Sequence, residues 1–281
     1  MRRLWHSLRH PQGDREHPPS PRRSPHVRQR TGPPPADDVR GVPGGGHRPG
    51  QGGDLCRSGR SRLAIVRRGA AVSHDGFSPT CGPPLPSPLS EEERYRVGAW
   101  QLLAALLRSP PERSLLDRLA ALGDAQGNVT DDLAMALRML GLAARTSDPA
   151  RLDDEYHELF IGLGRGELVP FASWYLTGFL METPLAALRD ELARLGFERR
   201  ETVHEPEDHA AALCEVMAAL IEDPELAAEQ GPFFRAHIAP WMERFFTDLV
   251  AARSAVFYRS VGRLGCAFLA LESDLHTADG A

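Results

Sequence analysis

The sequence predicts an all-α protein, a single globular domain of roughly eight or more helices preceded by a disordered basic arm rich in proline, glycine and arginine. Beyond residue 90, apolar residues recur three and four positions apart, which is the spacing of the buried face of an α-helix. Several of these runs begin at a helix-capping residue followed by proline. No segment alternates apolar and polar residues for long enough to predict a β-strand.

Composition divides the chain just before Ser90. Residues 1–89 hold 15 arginines against 6 acidic residues, with 15 of the 24 prolines and 13 of the 26 glycines, whereas residues 90–281 hold 18 arginines against 32 acidic residues. A segment so poor in apolar side chains cannot offset the entropy lost on ordering, about 1–2 kcal/mol per residue. We therefore predict a disordered or spuriously assigned extension at 1–89 and an all-helical domain at 90–281.

The first three helices are predicted from their starting residues. Ser90 and Glu93 have the spacing of a capping box, and Pro110 ends the helix that follows. Thr130 is predicted to cap the second helix, and Asp148, which precedes a proline, the third. Their apolar faces are predicted to comprise Tyr95, Ala99, Leu102, Leu103 and Leu106, then Leu133, Leu137, Leu140 and Ala144, then Leu152, Tyr156, Leu159, Phe160 and Leu163.

The later helices follow the same pattern. Thr183 and Asp223 each precede a proline, and Gly196 ends the helix that starts near Thr183. Residues 168–181 carry no charge and are apolar on every side of a helix, so this segment is predicted to be a buried central helix, part of which lines an apolar groove. The remaining apolar faces are Leu185, Leu188, Leu192 and Leu195, then Leu213, Met217, Leu220 and Ile221, then Ile238, Met242, Phe245 and Leu249, then Phe257, Val261, Leu264, Phe268, Leu271 and Leu275.

Three glycines, Gly162, Gly164 and Gly166, follow the third helix. A phosphate-binding loop needs a strand before it and a lysine of the Walker motif, and this sequence has neither. The glycines are therefore predicted to end the helix and turn the chain.

Neither export nor membrane insertion of this chain is predicted. Paired arginines occur at 2–3 and 67–68, but polar or short segments follow them where a signal would have an apolar core. The longest uncharged stretch of the helical region has 14 residues, fewer than the ~20 that span a bilayer. The four cysteines form no CxxC pair, so a reducing cytoplasm fits best.

The stretch ETVHEPEDHAAALCEVM, residues 201–217, concentrates polar side chains at a predicted helix start. Pro206 suits the first helical position, which would place Glu207, Asp208 and His209 in the first turn, where carboxylates interact favourably with the helix dipole. His209 would then lie on the buried face, where a histidine is most often a core residue hydrogen-bonded to a carboxylate or a carbonyl.

Metal binding and catalysis are both disfavoured for this stretch. Glu205 and His209 lack the Glu-x-x-His spacing of di-iron helical bundles, and His204 and His209 straddle the proline. Asp208 and His209 are neighbours in the sequence, and neighbouring residues of a helix do not face each other. No nucleophile lies in an activating context.

The residues from Tyr156 to His209 resemble the TorD/DmsD family of cytoplasmic chaperones, which mature molybdenum-containing oxidoreductases. The family pattern is an aromatic-x-x-Leu-Phe helix, a proline-bearing turn, a Ser-x-Tyr-like segment and then Glu-Pro-x-Asp-His. In this sequence the matching residues are Tyr156, Leu159, Phe160, Pro170, Ser173, Tyr175, Glu205, Pro206, Asp208 and His209. The helical layout resembles the family over most of residues 90–275, and the arm has no counterpart in it.

The resemblance implies a non-enzymatic cytoplasmic protein. We expect it to bind no cofactor, and the ligand spacings predict no metal. It would bind the twin-arginine signal peptide of an apo molybdopterin oxidoreductase, a formate dehydrogenase or a dimethyl-sulfoxide-reductase relative, and delay export until the cofactor is inserted. An acidic domain with apolar helices suits a ligand that is basic and then apolar. The implied signal-peptide-binding residues are Leu159, Phe160, Pro170, Ser173, Trp174, Tyr175, Glu205, Pro206, Asp208 and His209.

Alternatives from other classes stay open. A helical metal- or nucleotide-dependent enzyme could use the polar cluster from His204 to His209, and the basic arm could bind nucleic acid, although no nucleic-acid partner is expected. A monomer or a helix-swapped dimer is expected, with no membrane span.

Overall fold

The computed structural model of the protein describes residues 65–67, 89–123, 131–162 and 165–278. Over these ranges the chain forms ten α-helices, three short 3₁₀- or π-helical segments and a two-stranded sheet, which confirms the predicted all-α class. In chain order the elements are β1 (Ile65–Arg67), α1 (Glu91–Arg108), α2 (Arg113–Gly123), α3 (Asp132–Thr146), α4 (Pro149–Tyr156), a π-helical turn (His157–Ile161), α5 (Ala172–Thr177), α6 (Thr183–Arg194), β2 (Phe197–Arg199), α7 (Ala210–Glu222), a 3₁₀ helix (Pro224–Glu229), α8 (Gln230–Phe233), a second π-helical turn (Phe234–Ile238), α9 (Met242–Ala251) and α10 (Tyr258–Ala278).

Helix starts follow the local sequence closely. The capping box of α1 is confirmed, because the Ser90 hydroxyl accepts from Glu93 N at 3.1 Å and the Glu93 carboxylate accepts from Ser90 N at 2.7 Å. The cap of α3 is Asp131 and not the predicted Thr130, which lies outside the described residues, because the Asp131 carboxylate accepts from Leu133 N. Asp148 is the N-cap of α4, and proline follows it as predicted.

Helix pairs enclose the hydrophobic core. α1 packs along α7, α2 pairs with α3, α9 pairs with α10, and α10 also packs against α3. Trp100 of α1 is fully buried and meets the ring of Phe268 in α10 edge-on, with the centroids 4.9 Å apart. Close contact of α9 and α10 requires glycine at position 265, where a Cβ atom would lie 2.3 Å from the ring of Phe246.

α7 is the central helix of the fold. Eleven of its thirteen residues are buried, from Ala210 through Ile221 with Ala219 excepted. Residues 168–181, predicted to be the buried central helix, form only the six-residue helix α5 and the segments around it. That prediction is wrong, because Gly178, with φ of 83°, ends α5 and turns the following apolar residues towards solvent.

The sheet was not predicted. β1 pairs antiparallel with β2, with Ile65 opposite Arg199 and Arg67 opposite Phe197. Ile65 is buried in the core, so the structure differs at these three residues from the disorder predicted for 1–89; nearly all of that segment lies outside the described residues. No helix in the described part of the chain combines the length and apolarity needed to cross a membrane.

Candidate functional site

The structure joins the two segments that the sequence singled out. Phe171 forms an isolated antiparallel bridge with His209. Ala172 N donates to Asp208 O at 3.0 Å, and Ala210 N donates to Pro170 O at 2.9 Å. The start of α5 and the start of α7 are therefore held side by side by backbone hydrogen bonds between residues almost forty positions apart in the sequence.

Asp208 caps α5 and lies outside α7. Its Oδ2 atom accepts a hydrogen bond from Ser173 N at 2.9 Å, and its side chain is buried. The predicted placement of Glu207, Asp208 and His209 in the first turn of a helix is wrong, since α7 begins at Ala210. The carbonyl and carboxylate of Asp208 are used by α5, which explains the later start. Asp208 Oδ1 and Ser173 Oγ are buried without a hydrogen-bond partner in the described structure.

His209 is the N-cap residue of α7. Its Nδ1 atom accepts from Ala211 N at 3.1 Å, and its ring meets the ring of Phe171 edge-on at 5.0 Å. Burial, with a smaller contribution from the charge of Arg108, lowers the pKa of His209 to about 3. The ring is therefore neutral at physiological pH and acts as a cap. The predicted burial of His209 is confirmed.

The acidic residues of the Glu205–His209 motif differ in their exposure to solvent. Glu207 is buried and forms ion pairs with Arg189 at 2.8 Å and Arg199 at 3.1 Å. Glu205 is exposed, next to the half-buried Pro206. Of the motif's three acidic side chains, Glu205 is thus the one open to a ligand on the surface.

Several apolar residues of the predicted site belong to the core. Leu159 is fully buried and Pro170 is buried. Phe160 is partly buried and packs edge-on against the rings of Tyr156 and Tyr258, at 5.1 and 5.5 Å. These three side chains pack in the core next to the site and expose little surface to a ligand.

Trp174 and Tyr175 lie at the surface of α5 beside charged groups. The guanidinium of Arg165 lies 4.9 Å from the centre of the Trp174 ring, and that of Arg244 lies 5.7 Å from the Tyr175 ring. The Tyr175 hydroxyl donates to Asp248 Oδ2 at 3.1 Å. Burial and the carboxylate of Asp248 raise the pKa of Tyr175 well above its ordinary value. These five residues line a pocket of about 170 Å³.

Four exposed apolar residues after the start of α5 were not assigned to the site by the sequence. This apolar strip comprises Leu176, Phe179, Leu180 and Met181. Phe179 is 68% and Met181 73% exposed, which is unusual for large apolar side chains so close together. Gly178 within the sequence LTGFLM was the signal for a helix end, but nothing local showed that the next turn would face solvent.

Two carboxylates that the sequence did not single out hold the loop between α9 and α10. The Glu155 carboxylate accepts three consecutive backbone N–H groups at 2.8 to 3.2 Å, and the Glu167 carboxylate accepts two at 2.7 and 3.0 Å. The donors are Val256, Phe257 and Tyr258 for Glu155, and Arg253 and Ser254 for Glu167. The segment from α4 to α5 is thereby fixed to the α9–α10 hairpin.

The glycine-rich turn has a structural role. Gly162 has φ of 60°, and its N–H donates to His157 O at 2.7 Å, which closes the π-helical turn. A Cβ atom at Gly166 would lie 2.5 Å from Leu159 O. The predicted helix end and chain reversal are confirmed at these two positions, and Gly164 lies outside the described residues.

Among the described residues, no group of three or more histidine, cysteine, aspartate or glutamate side chains is placed to hold a metal ion. Cys214 lies in α7, and burial raises the pKa of its thiol. A reactive thiolate at this position has no support.

Comparison with known proteins bears on the same segments. The family model described as nitrate reductase delta subunit matches residues 126–247, which include both the Leu159–Phe160 turn and the Glu205–His209 motif. The chaperone protein TorD of Actinobacillus pleuropneumoniae serotype 7 is 28% identical over 192 residues, covering 64% of this chain and 94% of its own. TorD of Vibrio cholerae serotype O1 strain ATCC 39541 is 26% identical over 202 residues, covering 68% of this chain and 85% of its own.

A solved structure of a redox enzyme maturation protein from Archaeoglobus fulgidus aligns with 66% of this chain and 97% of its own, at 19% identity and a TM-score of 0.43. The curated relatives align along most of their own length, and the motif residues lie within the segment that the family model matches. These comparisons support the resemblance to the TorD family that the sequence motifs predict.

Proposed function

We propose that this protein is a cytoplasmic, non-enzymatic chaperone of molybdoenzyme maturation that binds the signal peptide of an apo molybdopterin oxidoreductase. The curated relatives are named chaperones, and the proposal extends that role to this chain. The observation that carries the peptide-binding part is the apolar strip, exposed directly after the helix that Asp208 caps. A twin-arginine signal peptide is a basic stretch followed by an apolar helix, so its receptor needs an apolar surface near acidic groups.

The site residues divide into two roles under this proposal. Glu205 and the apolar strip contact the peptide, with Trp174 and Tyr175 at the border of the strip. Asp208 and His209 position these groups from within, because they fix the starts of α5 and α7. Ser173 and Pro170 take part through their backbone atoms.

Binding would retain the oxidoreductase, a formate dehydrogenase or a dimethyl-sulfoxide-reductase relative, until its cofactor is inserted. A peptide whose apolar segment is covered by the strip is withheld from the export machinery. Release would then follow completion of the enzyme, without a catalytic step by the chaperone.

The test is calorimetric titration of a synthetic twin-arginine signal peptide, taken from a molybdopterin oxidoreductase encoded beside this gene, into the full-length protein. We expect the double variant Phe179→Ser/Met181→Ser to bind at least ~10-fold more weakly, because burying one large apolar side chain contributes about 1.5–3 kcal/mol. Both side chains are exposed, so the fold should be unaffected.

Leu142→Ser is the matched control, since Leu142 is an exposed leucine on α3, a helix that contributes no residue to the candidate site. The control should bind like the wild type. Equal weakening by the control and the double variant would remove the strip from the site. A wild-type protein that binds no such peptide would refute the proposed function.

A further inference from the structure

Arg67, the first arginine of the pair at 67–68, has defined contacts in the structure. Arg67 ends β1, and its guanidinium forms an ion pair with Asp223 and a hydrogen bond with Glu225 Oε2 at 3.4 Å. Two residues earlier, Ile65 is only 5% exposed and packs into the core. β1 is therefore held at two points: Ile65 lies in the hydrophobic core, and Arg67, two positions on, lies beside two carboxylates.

β2, the partner strand, leads directly into the motif. Arg199, opposite Ile65 in the sheet, pairs with Glu207 at 3.1 Å and donates to Val203 O at 2.8 Å. Its Nη1 atom also reaches Glu205 O at 3.5 Å. The strand that receives β1 thus holds the turn that carries the exposed acidic residue of the candidate site.

The pairing of β1 with β2 is short, and such a pairing allows another strand to replace β1. Each strand has three residues, and an isolated two-stranded ribbon is marginally stable in water. Without β1, β2 would present an unpaired strand edge, to which extended peptides add by main-chain hydrogen bonds. The side-chain sites would then select an arginine and an apolar residue two positions apart. In a strand antiparallel to β2, as β1 is, the apolar residue comes first, and in a strand parallel to β2 the arginine comes first, which is the order in a twin-arginine signal peptide.

We propose that β1 is a replaceable internal occupant of a strand-accepting site along β2, for which the arginine-bearing end of a bound signal peptide competes. The inference rests on the proposed function for the identity of the competing peptide. Asp223 and Glu225 supply the acidic end of the site, the core around Ile65 supplies its apolar end, and Arg199 links it to the motif.

The first test compares two full-length variants that lose the same charge, Arg67→Ser and Arg68→Ser, by calorimetric titration with the twin-arginine signal peptide. An internal occupant that fills its site nine-tenths of the time lowers apparent affinity about 10-fold. Arg67→Ser should therefore bind the peptide up to ~10-fold more tightly than the wild type. Arg68→Ser should bind like the wild type. Unchanged or weaker binding by Arg67→Ser, or equal gains in the two variants, would overturn the proposal.

The second test does not depend on the signal peptide. A synthetic peptide of residues 61–71, SRLAIVRRGAA, is titrated into the full-length double variant Ile65→Ser/Arg67→Ser, whose own strand is weakened. It should bind at least ~10-fold more tightly to this variant than to the wild type, and a scrambled peptide should not bind.

These measurements separate the two proposals. If the 61–71 peptide binds the double variant but no signal peptide binds any form, the strand-accepting site stands and the proposed function fails. If signal peptides bind and the 61–71 peptide does not, the proposed function stands and the strand-accepting site is refuted. Melting curves of all three variants establish that binding is compared between folded proteins.

Discussion

At the residue scale, His209 and Asp208 act on the two helices that meet at the motif. The neutral ring of His209 accepts from the backbone of α7, and the carboxylate of Asp208 accepts from the backbone of α5. The Asp208 side chain is only 1% exposed, so it is not available for direct contact with an arginine of a ligand. Its effect on binding is expected to pass through α5.

His209 should make the protein less stable in mild acid. Its pKa is about 3 in the folded protein and 6.5 in the reference state, so below pH 6.5 the unfolded chain binds a proton that the folded protein excludes. The stability that the protein gains from a neutral His209 is fully present above pH 6.5. It is lost progressively as the pH falls towards 3, at about 1.4 kcal/mol of unfolding free energy per pH unit.

The measurement is urea unfolding of the wild type and His209→Asn at pH 7.5, 6.0 and 5.0. Asparagine can still cap the helix but does not titrate. The difference in unfolding free energy between the two proteins should therefore shift in favour of the variant as the pH falls. Parallel pH profiles would show that folding does not lower the pKa of His209.

At the scale of elements, the α9–α10 loop depends on side chains from another part of the chain. Glu155 and Glu167 together accept five backbone hydrogen bonds from residues 253–258. These donors lie in a connection and at a helix start, where backbone N–H groups lack partners within the helix. The backbone donors also lower the pKa of Glu167 below its usual range, so this carboxylate stays ionised at neutral pH.

Glu155→Gln should reduce the unfolding free energy by about 1–3 kcal/mol, because the amide nitrogen cannot accept and at least one N–H at the start of α10 loses its partner. Chemical denaturation measures this loss. Glu158→Gln, an exposed neighbour with the same change of charge, is the control and should be nearly neutral. A similar loss in both variants would assign the effect to net charge and not to the loop.

At the scale of the whole molecule, the candidate site lies where three separate parts of the chain meet. The segment from α4 to α5 forms hydrogen bonds both with the β2–α7 connection and with the loop between α9 and α10. Acidic residues predominate in the helical region as a whole, which suits a basic ligand. The polar cluster from His204 to His209 is spread over this surface and core, with His204 exposed and His209 buried.

Because its polar groups are dispersed in this way, the full-length protein is expected to carry well below one transition-metal ion per chain when purified. Elemental analysis by mass spectrometry checks this. One iron or zinc per chain that is lost in His209→Asn and retained in the exposed-site variant His157→Asn would instead support the metal-dependent enzyme.

The sequence by itself determined the helical class and most helix boundaries, because these depend on contacts within a few residues. The capping box at Ser90 and Glu93 and the glycine stop at Gly196 are local in this sense. It also determined that the segments containing Phe171 and His209 belong to one family pattern.

Only the tertiary structure decided how these two segments contact each other. The hydrogen bonds of Asp208 to α5 delay the start of α7, and the apolar strip that follows the helix end at Gly178 lies exposed. Pairing of β1 with β2 likewise depends on groups far apart in the chain, whose proximity no local pattern encodes.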